Sequence, residues 1–281
     1  MSLAKPFHRN VRGIKDRPNS GYSSWTYGDD RYIEDREYAK NPEHYVRAFT
    51  LIQNDLKSIF EYLEPSDVCR EAYSYRIHAL LMRTCIEVEA NFKAILEENT
   101  FMPPRNGLLN MTHFRKVDAT HHLSSYEVIL PIWNGAPPVI KPFELWKPWR
   151  GRSQPEGIKL SPAWYQAYNA SKHDRQDEFK KANFGTLVDA VAGLLVLISS
   201  QFRDRDFSAG GRVMGLSGKE SFRRIGVPMQ DYHPMDAAID SLFRIEYPKD
   251  WADDELYHFD WYALKNQNDR FWKIDFDAIY S

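Results

Sequence analysis

The sequence predicts a mainly α-helical fold, an antiparallel helical bundle with an irregular insertion and an irregular C-terminal extension. Residues 41–63 and 67–98 predict two amphipathic helices, because their apolar side chains recur at spacings of three and four. Residues 183–202 are apolar on nearly every face, which indicates a helix at the bundle centre. The pairs at 41–42 and 161–162 each place a polar capping residue before proline, a pattern typical of helix starts.

The boundaries of the first two helices follow from their capping and breaking residues. Asn41 is expected to cap the first helix and Pro65 to end it. Ser66 or Asp67 is expected to cap the second helix, which runs to about Glu98. Two helices that are joined by so few residues are expected to pack antiparallel.

Composition limits the classes of function that this chain can have, but it does not identify one. The chain has 281 residues, of which 43% are hydrophobic and 14% aromatic, enough for a sizeable core. A net charge of −2 gives no global argument for nucleic acid, so such binding would require a local basic face. No apolar signal segment follows Met1 and no apolar run approaches 18 residues, so we predict a cytoplasmic protein.

Cysteine and histidine usage predicts neither a disulfide nor a metal site. Cys69 and Cys85 are expected on one helix, where 16 residues span about 24 Å, too far for a bridge. His113, His121 and His122 lie in the insertion without the spacing that places two ligands on one helix face. We therefore predict no metal and no other cofactor.

The chain divides into three predicted regions. Residues 1–40 form a basic arm with no helical or strand period, expected to be solvated and to carry no site. Residues 41–205 form the bundle domain, including a proline- and glycine-rich insertion at 100–160. Residues 206–281 form an aromatic extension with twelve acidic and five basic residues after position 230, expected to wrap around the bundle.

Short strands are predicted within the irregular regions. Residues 126–130 suit a strand of a single pair in the insertion, and residues 258–264 and 271–276 suit strands in the extension. An acidic extension that lay over a basic face of the bundle would also limit access to that face.

Large aromatic and basic residues are interleaved close to the predicted 161–175 helix, in the later part of the insertion and at the start of that helix. The aromatic residues are Phe143, Trp146, Trp149 and Trp164, and the basic ones are Lys141, Lys147, Arg150, Arg152 and Lys159. Such mixtures bind single-stranded nucleic acid through stacking and phosphate contacts. The same aromatic residues also fold a proline-rich loop onto a core, and we favour that packing role.

The helix predicted at 161–175 carries a polar face. Asn169 and His173 lie one turn apart on it, with Gln166 beneath them, while Trp164 faces the other side with Ala163 and Ala167.

Glu89 lies on the flank of the second helix, at the margin of its apolar stripe. We predict that this carboxylate faces the 161–175 helix, because a carboxylate at the edge of a core needs a donor or a cation. The alternative partner is Lys93, one turn further along the same helix.

Two segments, RTCIEVEANFKAIL and WYQAYNASKHDR, followed by an apolar helix, resemble the core of the HEPN superfamily of helical bundles in toxins, defence proteins and RNA-processing factors. The resemblance covers roughly residues 42–100 and 160–203. The ribonuclease signature of that superfamily is an arginine, commonly followed by asparagine, then three residues and a histidine. This chain matches it at Asn169 and His173 and departs from it at Tyr168.

The resemblance implies a metal-independent ribonuclease in which two copies meet across a homodimer. Such cleavage needs a base, a proton donor and a cation that stabilises the phosphate. His173 is the candidate acid or base, and Asn169 would orient the phosphate or the imidazole. Candidate substrate-binding residues lie on this helix, just after it and on the second helix: Lys172, Arg175, Tyr168, Arg83 and Glu89.

Several interpretations stay open at this point. The chain is either a divergent HEPN-like RNA-associated protein acting as an endoribonuclease of a defence or toxin system, or a catalytically inactive HEPN-like module. The inactive module would bind RNA, a nucleotide or a partner protein, and an interaction protein with no nucleic-acid role is a third interpretation. In the inactive forms, Asn169 and His173 only tie the bundle together.

Overall fold

Four helices form the bundle on which the rest of the chain packs. They are α1 (Pro42–Phe60), α2 (Tyr75–Glu98), α5 (Ala163–His173) and α7 (Phe184–Phe202). Shorter helices are α3 (Met111–Phe114), α4 (Asp118–His121), α6 (Arg175–Glu178) and α8 (Trp261–Leu264). The computed structural model describes residues 3–15, 30–153, 156–207, 235–237, 239 and 242–280. The protein is therefore mainly helical, as predicted.

Side-chain contacts give the directions of α1 and α2. Arg83 of α2 forms an ion pair of 2.6 Å with Asp55 of α1. The backbone N–H of Lys40, just before α1, donates to Glu98 at the end of α2. The start of α1 therefore lies at the end of α2, and the two helices are antiparallel.

The apolar helix α7 runs parallel to α2 at the centre of the bundle. Its start lies against the chain just before α2, where the Gly185 N–H donates to the Arg70 carbonyl over 2.9 Å. Near its end, Gln201 donates to Asn91 of α2 over 3.0 Å. The helix is long and apolar enough to cross a membrane, but 89% of its apolar window is buried within the fold, as in the core helix of a soluble bundle.

Helix α2 begins later than predicted. Ser74 caps it by accepting a hydrogen bond from the Ile77 N–H over 3.2 Å, so the predicted caps Ser66 and Asp67 are wrong. The intervening residues are engaged elsewhere, because Ala72 accepts a backbone hydrogen bond from the first residue of α7. Cys69 lies in a short turn before α2, not on it with Cys85, and both cysteines are free.

Two other predicted caps are also corrected. Pro42 starts α1 as predicted, but Asn41 has a φ of 50° and its side chain makes no capping hydrogen bond. Helix α5 begins at Ala163, with Pro162 in the capping position and no side-chain cap. Ser161 contributes its carbonyl instead, which accepts a hydrogen bond from the Gln166 side chain over 2.7 Å.

A three-stranded antiparallel sheet joins the insertion to the extension. Its strands are β1 (Glu127–Ile129), β2 (Asp236–Ala237) and β3 (Arg244–Glu246), in the order β1-β3-β2. The strand predicted at 126–130 is confirmed, but it pairs chiefly with the extension. The strands predicted at 258–264 and 271–276 are wrong, because the first contains helix α8 and the second forms only isolated bridges with Phe7 and Thr100.

The N-terminal arm is largely buried over residues 3–15, which corrects the prediction of a solvated terminus for that part of the chain. Arg9 is fully buried, and its guanidinium donates to Glu98 over 2.7 Å and to Gln201 over 2.9 Å. The Val11 N–H donates to the Ser200 carbonyl. Sequence periodicity could not reveal this segment, because it is held by single hydrogen bonds to several helices rather than by an apolar stripe.

The C-terminal extension wraps the bundle over its described residues, as predicted, and it contacts the basic N-terminal arm. Lys5 pairs with Asp269 over 2.7 Å, and Lys15 pairs with Asp253 over 2.6 Å. Acidic residues of the extension therefore contact basic residues of the N-terminal arm.

Candidate nucleic-acid interface

Helix α5 turns one face to the core and the other to solvent. Its buried side chains are Trp164, Tyr165, Tyr168 and Ser171. Lys172 and His173 are exposed, and Asn169 is half-buried. The predicted polar face is confirmed, except that Ala163 is exposed instead of facing the core with Trp164.

Glu89 of α2 faces α5, as predicted. Its Oε1 accepts hydrogen bonds from the Tyr165 hydroxyl over 2.9 Å and from the Tyr168 hydroxyl over 3.3 Å. The alternative partner, Lys93, also approaches it, with Nζ 4.0 Å from Oε2. The Lys172 ammonium donates to the Tyr168 hydroxyl over 3.0 Å. Tyr168 occupies the position of the arginine in the HEPN signature. Its hydroxyl accepts a hydrogen bond from Lys172, which lies one turn later on the surface of α5.

The protonation states on this face follow from the same contacts. The hydrogen bond to Tyr168 raises the pKa of Lys172, so this side chain stays cationic. Burial raises the pKa of Tyr168, and burial followed by the Glu89 charge raises the pKa of Tyr165, so both hydroxyls stay protonated. The exposed imidazole of His173 lies on the same face.

Two predicted cations lie in different places. Arg83 is committed to Asp55 of α1 and lies on a different face of α2 from Glu89, so its predicted role on this face is wrong. Arg175, the first residue of α6, is exposed just beyond the end of α5. The cations gathered at the end of α5 are thus Lys172 and Arg175.

An exposed aromatic cluster lies beside the end of α5 and was missed by sequence reasoning. The Phe179 ring lies 4.9 Å from the Tyr75 ring and 5.7 Å from the Tyr73 ring. Tyr73 is 50% exposed and Tyr75 is 71% exposed. Such rings offer faces on which planar ligands stack.

His78 connects this cluster to α5. Its ring lies 5.4 Å from that of Phe179, and its Nε2 lies 3.5 Å from the Ser171 carbonyl. Ser171 immediately precedes the exposed Lys172. We call the combined region the aromatic–basic surface, made of Tyr73, Tyr75, His78, Lys172, His173, Arg175 and Phe179.

The aromatic residues of the insertion do not form such a surface. Phe143, Trp146 and Trp164 are buried, and Trp149 packs against the core. The Trp146 indole N–H donates to the Leu160 carbonyl over 2.6 Å. The predicted packing role of these residues is therefore confirmed.

The insertion histidines are bound within the fold. His121 is buried and its Nε2 lies 2.8 Å from the Arg9 carbonyl, and burial lowers its pKa to about 3. His122 stacks on Trp251 with ring centroids 3.8 Å apart. His113 lies beside Asn110 in the cap of α3. Within the described ranges, no group of three His, Cys, Asp or Glu side chains is placed to hold a metal ion.

His122 belongs to a network that sequence reasoning also missed. Its Nδ1 lies 3.2 Å from Asp250 and its Nε2 lies 3.3 Å from Glu255. Arg150 donates to Asp250 over 2.9 Å, and its Nε lies 3.5 Å from the buried Asp118. We call this network the His122 cluster, made of Asp118, His122, Ser124, Ser125, Arg150, Asp250, Trp251 and Glu255.

Fold and site together define a helical-bundle protein with an exposed surface of aromatic and basic side chains. Comparisons with protein-family models, with curated proteins and with solved structures find no match to this chain.

Proposed function

We propose that this chain is a divergent HEPN-like protein that binds single-stranded RNA through the aromatic–basic surface. The observation that carries the proposal is that the exposed rings Tyr73 and Tyr75 are joined, through Phe179 and His78, to the end of α5. The exposed cations of that helix end are Lys172 and Arg175. Exposed rings next to cations are what single-stranded nucleic acid binding requires, since bases stack and phosphates need positive charge. The order of the helices and the matched positions Asn169 and His173 favour RNA as the ligand.

Each part of the surface has a distinct role in this proposal. Lys172 and Arg175 contact phosphates, and Tyr75, with Phe179 behind it, stacks a base. The Tyr168 hydroxyl holds the Lys172 ammonium in place before RNA arrives, which lowers the entropy lost on binding. A cytoplasmic protein of a defence or toxin system is the setting that the HEPN resemblance favours.

The first test measures RNA affinity against salt. Fluorescence anisotropy with a labelled oligouridine is expected to give a log–log salt slope that falls by about 0.7 for each cation removed in Lys172→Gln and Arg175→Gln. Tyr75→Ala is expected to weaken binding about tenfold at every salt concentration.

Matched controls lie at the far end of α2. Arg36→Gln with Lys40→Gln removes two exposed cations just before α1, where the Lys40 N–H donates to Glu98, and Tyr262→Ala removes an exposed ring of the C-terminal extension. These variants should bind RNA like the wild type. Equal losses in controls and surface variants, or no RNA binding by the wild type, would refute the proposal.

A second candidate function is metal-independent RNA cleavage. The observation that favours it is the exposed imidazole of His173, one helical turn after Asn169 and beside the cation of Lys172. His173 would move protons to and from the ribose and the leaving oxygen, and Lys172 would stabilise the charge on the phosphate. As in other HEPN ribonucleases, two copies of α5 would face each other across a homodimer axis.

This candidate is tested by RNA digestion in the presence of a chelator, with sedimentation to measure the oligomeric state. Cleavage is expected from a dimer, and His173→Ala is expected to abolish it while leaving the unfolding midpoint unchanged. Tyr168→Arg, which restores the signature beside Glu89, is expected to raise the cleavage rate if it folds. Salt-dependent binding by a wild type that never cleaves would instead favour the catalytically inactive module.

A further inference from the structure

A pocket of about 380 Å³ opens between α5 and the insertion, on the polar face that carries His173. This volume is within the range of small-ligand sites, which begins near about 300 Å³. Its wall comes from the start of α3, from the chain before α5 and from α5 itself. The lining residues are Met111, Thr112, Lys159, Leu160, Ser161, Gln166 and Asn169.

The pocket combines an apolar floor with amide groups. Met111 and Leu160 are each 6% exposed and supply the apolar surface. Gln166 donates its Nε2 to the Ser161 carbonyl, so its Oε1 remains as an acceptor. Across the described part of the chain, no hydrogen bond engages the Asn169 side chain, which therefore offers both a donor and an acceptor.

We propose that this pocket binds an adenine base of the RNA strand, an inference that rests on the proposed RNA-binding function. An amide matches the adenine edge, because its oxygen accepts from the N6 amino group while its nitrogen donates to a ring nitrogen. The second acceptor, Gln166 Oε1, would accept a hydrogen bond from the other hydrogen of that amino group. Uracil offers a single donor, its N3–H, so it leaves one of the two amide acceptors unpaired and is disfavoured.

Position along α5 links the pocket to the aromatic–basic surface. Asn169 precedes His173 by four residues, or about 6 Å along the helix axis. A nucleotide whose phosphate meets Lys172 thus has its own base, or that of its neighbour, within reach of the pocket. Lys159 at the pocket rim adds a cation for the strand that enters it. Asn169 is then a specificity residue that reads the base.

The proposal is tested with two oligonucleotides, an oligouridine and the same strand with one central adenosine. The wild type is expected to prefer the adenosine strand by about tenfold. Asn169→Ala should remove this preference. Thr112→Phe, which fills the pocket from an exposed position of α3, should do the same, so the test does not depend on the folding of a single variant. Asn54→Ala, at an exposed position of α1, is the matched control and should keep the preference.

Adenosine monophosphate and uridine monophosphate, titrated by calorimetry, separate failure of the pocket from failure of the proposed function. Binding of the adenine nucleotide alone, lost in Asn169→Ala, supports the pocket even where oligouridine does not bind. Equal affinity of the wild type for both strands overturns the adenine pocket while leaving RNA binding intact. An equal loss for both strands in Asn169→Ala also overturns it, because the side chain would then contact phosphate rather than base.

Discussion

His122 and His173 show how the same side chain is used in two regions of this molecule. His122 is buried, stacked on Trp251, with a carboxylate at each ring nitrogen. His173 is exposed at the end of α5, and no hydrogen bond or ion pair engages its side chain in the part of the chain that the structure describes. A polar group whose partners all come from the fold stabilises the fold. One that is left to solvent at a helix end is open to a ligand.

The difference extends to the surroundings of each histidine. In the His122 cluster, Arg150 joins Asp118 and two serines of the insertion to Asp250 of the extension. On the aromatic–basic surface, Lys172 is held by the tyrosine at position 168 but keeps an exposed side chain. The first region ties two segments together, and the second presents its charge outward.

The largest effect is expected when the His122 cluster loses its cation. Arg150→Ala leaves Asp118 buried without its ion-pair partner, which is expected to lower the free energy of unfolding by about 3–5 kcal/mol. Urea titration followed by circular dichroism measures this loss. Arg175→Ala, at an exposed position, is the matched control and should change stability by less than about 0.5 kcal/mol. Similar losses in the two variants would remove the distinction between the regions.

A matched pair of histidine variants sharpens the comparison. His122→Asn tolerates the φ of 51° at this position but loses the stacking on Trp251 and the contacts of both ring nitrogens. We expect it to lower the free energy of unfolding by about 1–3 kcal/mol. His173→Asn should leave stability unchanged within about 0.5 kcal/mol. A His173→Asn loss as large as that of His122→Asn would show that His173 is structural.

The His122 cluster should also make stability fall in acid. Burial disfavours the charge of Asp250, but the Ser125 hydrogen bond and the Arg150 charge outweigh it and lower the pKa of this carboxyl. For Glu255, the hydrogen bond to His122 likewise outweighs burial and lowers the pKa. Both groups bind protons less readily when folded, so their stabilisation is present above their ordinary pKa values, about 4, and is lost below them.

Burial raises the pKa of Asp118, which partly offsets this trend because its protonation favours the folded state. Urea midpoints measured between about pH 2.5 and pH 7 should fall below about pH 4. Over this pH range, the loss of unfolding free energy in Asp250→Asn should be smaller than that of the wild type. The difference should be less than about 1 kcal/mol, because the carboxylate is partly screened by solvent. An unchanged slope in Asp250→Asn would show that other carboxylates control acid unfolding.

Much of the fold was predictable because it rests on local patterns. The apolar run of 183–202 predicted α7 to within one residue. In the structure Asn183 caps this helix by accepting from the Thr186 N–H over 2.9 Å. The start of α2 was not predictable, because the chain before it is held by backbone hydrogen bonds to the start of α7. The burial of the segment around Arg9 was not predictable for the same reason, because contacts between segments that are distant in the sequence leave no periodic signal.

The candidate site was predictable in part. The polar face of α5 and the approach of Glu89 followed from helical spacing on single helices. The aromatic–basic surface did not, because it requires Tyr73 and Tyr75 to meet Phe179 from more than a hundred positions away in the sequence. The sequence signal for this surface was the pair of tyrosines at alternate positions, Tyr73 and Tyr75. The predicted helix at 67–98 included both residues, so the pair was not recognised.

The smallest expected effect concerns the tyrosine that replaces the signature arginine. Tyr165→Phe and Tyr168→Phe each remove a hydroxyl that donates to Glu89, so both should lower the free energy of unfolding by about 1 kcal/mol. Only the Tyr168 hydroxyl also accepts from Lys172. Tyr168→Phe should therefore weaken oligouridine binding by about threefold through a less ordered ammonium, whereas Tyr165→Phe should not. Equal RNA affinity in the two variants, measured by anisotropy, would mean that Lys172 binds phosphate without help from Tyr168 and that this tyrosine serves the bundle alone.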